Sequence, residues 1–163
     1  YPADWGTRSK DMVDAIGIPF QAVAGGSEGA MVAELKSAVD AEKPMLMMFW
    51  APHWVHAEVE MNWVEWPEYE EGCDTDKALG INPQAVDDCG FQQASIAKIT
   101  SKDFASKWPA ASVIVENIQL SNDAQNATIL VVDNNKRDVD EVVAEWMEEN
   151  SATVDTWIGN AKE

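Results

Sequence analysis

The residues best placed to do chemistry in this chain are rings, not nucleophiles. Eight tryptophans occur among 163 residues. Trp146 and Trp157 fall on helical apolar stripes, Trp108 precedes a helix start, and Trp63 and Trp66 flank an acidic segment, so these five read as core anchors. Trp5, Trp50 and Trp54 lie close to Pro or Gly at the mouths of expected loops, where a ring face can meet a ligand. That face is electronegative and attracts quaternary ammonium groups. A fully methylated nitrogen has no N–H to donate, so an aromatic cage is the natural way to hold it. His53 sits between Trp50 and Trp54, where it can touch a ligand or orient the turn through hydrogen bonds.

No catalytic constellation accompanies the rings. The two histidines, His53 and His56, share one short segment. There is no G-x-S-x-G elbow, no H-E-x-x-H and no glycine-rich phosphate loop. An enzyme, such as an α/β hydrolase, is therefore the weakest reading. An acidic secreted interaction module, with tryptophans as protein-contact anchors, is the alternative to a binding protein. The formal charge of −18, from 29 acidic against 11 basic residues, argues against nucleic acid and against an anionic membrane surface.

Cys73 and Cys89 stand sixteen positions apart in a polar, acidic stretch. This is wider than a CxxC pair and reads as a disulfide, favouring the periplasm or exterior, against two free thiols in a cytosolic protein. A disulfide would draw Asp74, Asp76, Asp87 and Asp88 together. Such oxygens suit calcium, but the D-x-D-G loop pattern is incomplete, so a solvated loop is the stronger reading and neither metal nor cofactor is expected. Tyr1 opens the chain without the basic and apolar pattern of a leader, as in a processed protein or a fragment.

The elements that must position these residues follow from caps and periodicity. Thr7 is expected to cap a short helix that runs to Ile16 and ends at Gly17. Residues 19–24 read as a strand. Gly25-Gly26-Ser27 opens a helix whose apolar face carries Met31, Leu35 and Ala38 or Val39. The continuous apolar run 45–50 reads as a strand buried on both faces, and Pro52 ends it. Trp50 then sits at a strand's C-terminal end, where open α/β sheets bind ligands. Residues 62–66 and 94–100 are also strand-like, and 67–90 form a long acidic loop. Beyond residue 100 the pattern is helical, with Pro109 at one start, Ser121 as a cap, Asp138 and Glu141 in a capping-box pattern, and a last helix from Ser151.

Trp50-Ala51-Pro52-His53-Trp54, placed after the helix that Ser27 opens, resembles the W-x-P-H-W signature of the glycine betaine and choline substrate-binding proteins of ABC importers. Pro2-Ala3-Asp4-Trp5-Gly6 resembles the same family's P-x-W-G loop, with one extra residue before the Trp. Ser27-Glu28-Gly29-Ala30-Met31 and the stretches 117–132 and 142–158 resemble further parts of it. The resemblance implies an α/β fold of the type II periplasmic binding class, two-lobed with a ligand cleft, of which this chain would be an incomplete C-terminal part. Residues 1–50 would then form part of one α/β lobe. Residues 51–163 would hold a hinge crossing, the disulfide-bearing acidic loop and C-terminal helices packed on the other lobe. The resemblance also implies a non-enzymatic, periplasmic or extracytoplasmic protein. It would deliver glycine betaine, choline or trimethylamine N-oxide to an ABC permease, with Trp5 and Trp50 as cage rings. His53 matches a polar position near the ligand or hinge, and Trp54 is weighed more as packing than as cage. Further rings would come from a missing N-terminal portion, and the long acidic loop points towards the trimethylamine N-oxide binders.

Overall fold

Helices form where the sequence supplies their ends. In the computed structural model, which describes residues 1–159 and Ala161, two units are distinguished: Tyr1–Trp50 with Met61–Ala94, and Ala51–Glu60 with Ser95–Glu163.

The first unit opens with a single 3-10 turn, Ala3–Trp5, followed by helix α1, Arg8–Ile16. The Thr7 hydroxyl donates to Asp11 Oδ2 (2.8 Å). Gly17 closes α1 in the left-handed conformation, its N–H bonded to the Val13 carbonyl. Helix α2, Glu28–Asp40, starts at Ser27, whose Oγ accepts the Ala30 N–H (3.2 Å). Met12 and Val13 of α1, with Met31, Val32 and Leu35 of α2, are buried. The long loop contributes Cys73, Cys89 and Asp88, all essentially without solvent contact. Cys73 and Cys89 are joined by a disulfide with a Cα–Cα separation of 6.5 Å.

The second unit begins with the short helix α3, Val55–Glu58, and continues with α4, Phe104–Lys107, and α5, Pro109–Asn117, which has proline in its first turn. Helix α6, Asn122–Ile129, is capped by Ser121 and runs into a π-helical turn, Leu130–Asn134. Helix α7, Val139–Glu149, is capped by Asp138, whose carboxylate accepts the N–H groups of Asp140 and Glu141. Helix α8, Ser151–Gly159, follows, and Trp146 of α7 stacks on Trp157 of α8 with centroids 6.0 Å apart. Val55, His53, Asn126 and Val142 are buried in this unit.

The α/β expectation is corrected here. Among the described residues there is no strand, so the α/β class is not observed. The reason lies in what a strand requires. Apolar β-formers supply its side chains, but a strand exists only when a neighbour completes its ladder of N–H and C=O groups. Residues 19–24, 45–50, 62–66 and 94–100 have the composition without the regular structure. Gly25 N–H does donate to the Tyr1 carbonyl (2.7 Å), but no ladder develops beside it. Nor is the run 45–50 buried on both faces: Met45 is exposed and residues 46–50 are half-buried.

Candidate ligand-binding site

In the first unit, the 3-10 turn, the segment before α2 and the end of the apolar run meet around an open cleft of about 560 Å³. Trp5 and Trp50 line it, their ring centroids 5.9 Å apart and their planes inclined by 49°. Two rings at that inclination form a wedge, which offers a rounded group two π faces at once. Trp50 is supported from behind by Phe49, stacked with its centroid 4.1 Å away. Trp5 is held by the turn that carries it, in which its N–H donates to the Pro2 carbonyl (3.2 Å).

The wall opposite the rings is the start of α2. Gly26, Ser27, Glu28 and Met31 line the cleft there, and Asp4 lines it beside Trp5. Gly25 allows the two walls to approach. A Cβ on Gly25 would lie 2.3 Å from Met31 Cγ and 3.3 Å from the Tyr1 carbonyl, so a side chain there would have to displace Met31 and would crowd Tyr1. The lining therefore combines two indole faces, the thioether of Met31 and the carboxylates of Asp4 and Glu28. Rings and acids together suit a cation with an apolar surface.

His53 and Trp54 belong to the second unit. His53 is buried; its Nδ1 accepts the Val55 N–H (3.1 Å), and its own N–H donates to Asn126 Oδ1 (2.8 Å). These bonds fix the turn into α3. The Trp54 ring lies 5.2 Å from that of His53, tilted by 32°.

The family model for the substrate binding domain of ABC-type glycine betaine transport systems matches residues 1–149. The chain belongs to that family. It is thus a substrate-binding component of a transport system. Of the three tryptophans whose positions suggest a ligand, Trp5 and Trp50 stand together, forty-five positions apart in sequence. Asp4 and Glu28, the acids that share their cleft, do not stand out by residue type among 29 acidic residues. Their signal is positional: Asp4 directly precedes Trp5, and Glu28 follows the Ser27 cap that points α2 at the rings. Among the described residues no three His, Cys, Asp or Glu side chains are grouped to hold a metal, and this includes the acidic loop.

Proposed function

We propose that this domain binds a small methylated amine, of the class of glycine betaine, choline and trimethylamine N-oxide, in the Trp5–Trp50 cleft and delivers it to an ABC permease. The observation that carries the proposal is the wedge of two indoles, 5.9 Å apart, in a cleft that also holds Asp4 and Glu28. The three ligands share a methylated nitrogen, and the wedge addresses that shared group. Its methyls meet ring faces, and its charge is met by the ring quadrupoles and the nearby carboxylates. Trp5 remains 46% exposed, which supports a cage completed by further rings from protein outside residues 1–163. His53 serves in orienting the turn after Trp50, a role its bonds to Val55 and Asn126 support, and Trp54 serves in packing beside it. The disulfide and the family membership favour an extracytoplasmic setting.

Calorimetry of the full-length protein tests this reading, titrating glycine betaine, choline, trimethylamine N-oxide and their unmethylated counterparts. Saturable binding confined to the methylated members is the expected result. Absence of binding across the panel would refute it. It would favour the interaction-module reading, to which Trp63 and Trp108 are suited, both being exposed and not the core anchors their sequence positions imply.

A further inference from the structure

We propose that the disulfide-closed loop of residues 68–90 is a brace that fixes α1 and, through it, the placement of Trp5, with Asn82 and Asp87 as its positioning residues. The consequence for affinity rests on the reading of Trp5 as a ligand ring; the brace itself does not.

The loop grips α1 near both ends. At the start of the helix, Arg8 Nε lies 3.6 Å from Asp87 Oδ1, and the guanidinium carbon lies 5.2 Å from the centre of the Phe91 ring. At the end of the helix, Asn82 Nδ2 donates to the Ala15 carbonyl (2.7 Å). Ala15 lies in the last turn, where helix carbonyls lack a partner within the helix. Between these two points the helix buries Met12 and Val13. Trp5 is three residues upstream of Arg8, joined through Gly6 and Thr7, so displacement of α1 moves the turn that carries the ring.

A brace must itself be stiff, and three consecutive residues make it so. Cys89 closes the disulfide with Cys73. Asp88, wholly buried, accepts the Asn82 backbone N–H and so fixes the residue whose side chain reaches Ala15. Asp87 presents its carboxylate to Arg8, while its N–H donates to the Cys73 carbonyl (2.9 Å). Asp87 adopts φ of 61°, a left-handed conformation that Asp tolerates better than most residues. Staple, backbone anchor and outward contact are thus adjacent in sequence. A loop with no purpose beyond solvation would not need its most buried acid aimed at the residue that grips a helix.

The test uses the full-length protein with Asn82→Asp, which keeps size but replaces the amide donor with an acceptor, and with Asp87→Asn. Trp146→Ala, in the other unit, serves as a control that lowers stability without touching the loop. Amide hydrogen exchange is followed across residues 3–16, and affinity for glycine betaine and trimethylamine N-oxide by calorimetry. In both loop variants exchange across 3–16 is expected to quicken while residues 122–129 stay unchanged. Kd is expected to rise about three- to tenfold in Asn82→Asp, the worth of its hydrogen bond to Ala15, and by a smaller factor in Asp87→Asn, which loses only an ion-pair contact. Trp146→Ala should do neither. Reduction of the wild-type disulfide should reproduce the exchange pattern, which keeps the test decisive if a variant fails to fold. Unchanged exchange across 3–16 in the variants and in the reduced protein overturns the brace. Faster exchange with wild-type affinity overturns its link to Trp5. If wild type binds neither ligand, the functional reading falls, and exchange alone decides the brace.

Discussion

Trp50→Ala in the full-length protein is the sharpest probe of the cleft. Trp50 supplies one of the two faces of the wedge, inclined at 49° to Trp5, and it is backed by Phe49. Its removal would leave a bound cation only one ring of this wedge, Trp5, which is itself about half exposed. A desolvated cation–π contact contributes about 2 kcal/mol, and methyl contacts with the same ring add to it. At about 1.4 kcal/mol per factor of ten, affinity should fall by roughly 30-fold or more. Trp50→Phe keeps a smaller face and should lose less. Trp146→Ala is the contrast: it removes the stack on Trp157 in the second unit and should lower stability while the folded fraction binds as wild type. The assay is calorimetric titration of each variant with trimethylamine N-oxide and glycine betaine, with circular dichroism to verify folding. A folded Trp50→Ala protein that binds as tightly as wild type would show that Trp50 only packs, and the assignment of the cleft would be wrong.

Three further outcomes follow from the geometry. Gly80→Ala should destabilise by about 2 kcal/mol or more, because its Cβ would lie 2.2 Å from buried Asp88 Oδ1 at a residue with φ of 78°; an unchanged urea midpoint would contradict this. Reduction of Cys73–Cys89, which lie 16 positions apart, should cost roughly 3 kcal/mol on the chain-entropy account, read as a lower urea midpoint with reductant than without. Glu145 accepts a two-pronged bond from Arg137 (2.7 and 2.8 Å), which lowers the Glu145 pKa below its ordinary value. A carboxylate with a depressed folded pKa contributes stability above its unfolded pKa and loses it as pH falls through the folded one. Glu145→Gln should therefore lower the melting temperature at neutral pH, and that difference should vanish well below the carboxylate range and shrink in high salt; a difference independent of pH would sink the assignment.

What was legible in the sequence was local. Ser27, Ser121 and Asp138 announce helix starts because a capping oxygen acts within three residues of itself, and each accepts a backbone N–H from the first turn of its helix. Gly17 ends α1 for an equally local reason. The wrong fold class came from a property that is not local. Residues 45–50 have the composition of a buried strand, but no composition states which segment supplies the ladder, and among the described residues none does. The cleft falls between these cases. The signature around Trp50 and the loop around Trp5 each stand out by residue type. That they meet at 5.9 Å is a tertiary contact between segments forty-five positions apart, which periodicity does not reveal.

The mixture of rings and acids in the cleft bears on what it can select. Asp4 and Glu28 would attract any cation, and by themselves they would serve a primary ammonium at least as well, since its N–H groups need acceptors. The indoles reverse that order. They offer a methylated nitrogen apolar contact, worth about 0.8 kcal/mol for each carbon removed from water, and they offer a primary ammonium no acceptor for its desolvated N–H groups. On the proposed reading, discrimination by methylation would reside in Trp5 and Trp50, while the carboxylates would contribute an attraction common to all amines and screened by salt. A chain carrying a formal charge of −18 already attracts cations in general. Within such a field specificity has to come from groups that do not act through net charge, and on the proposed reading those groups are the two rings.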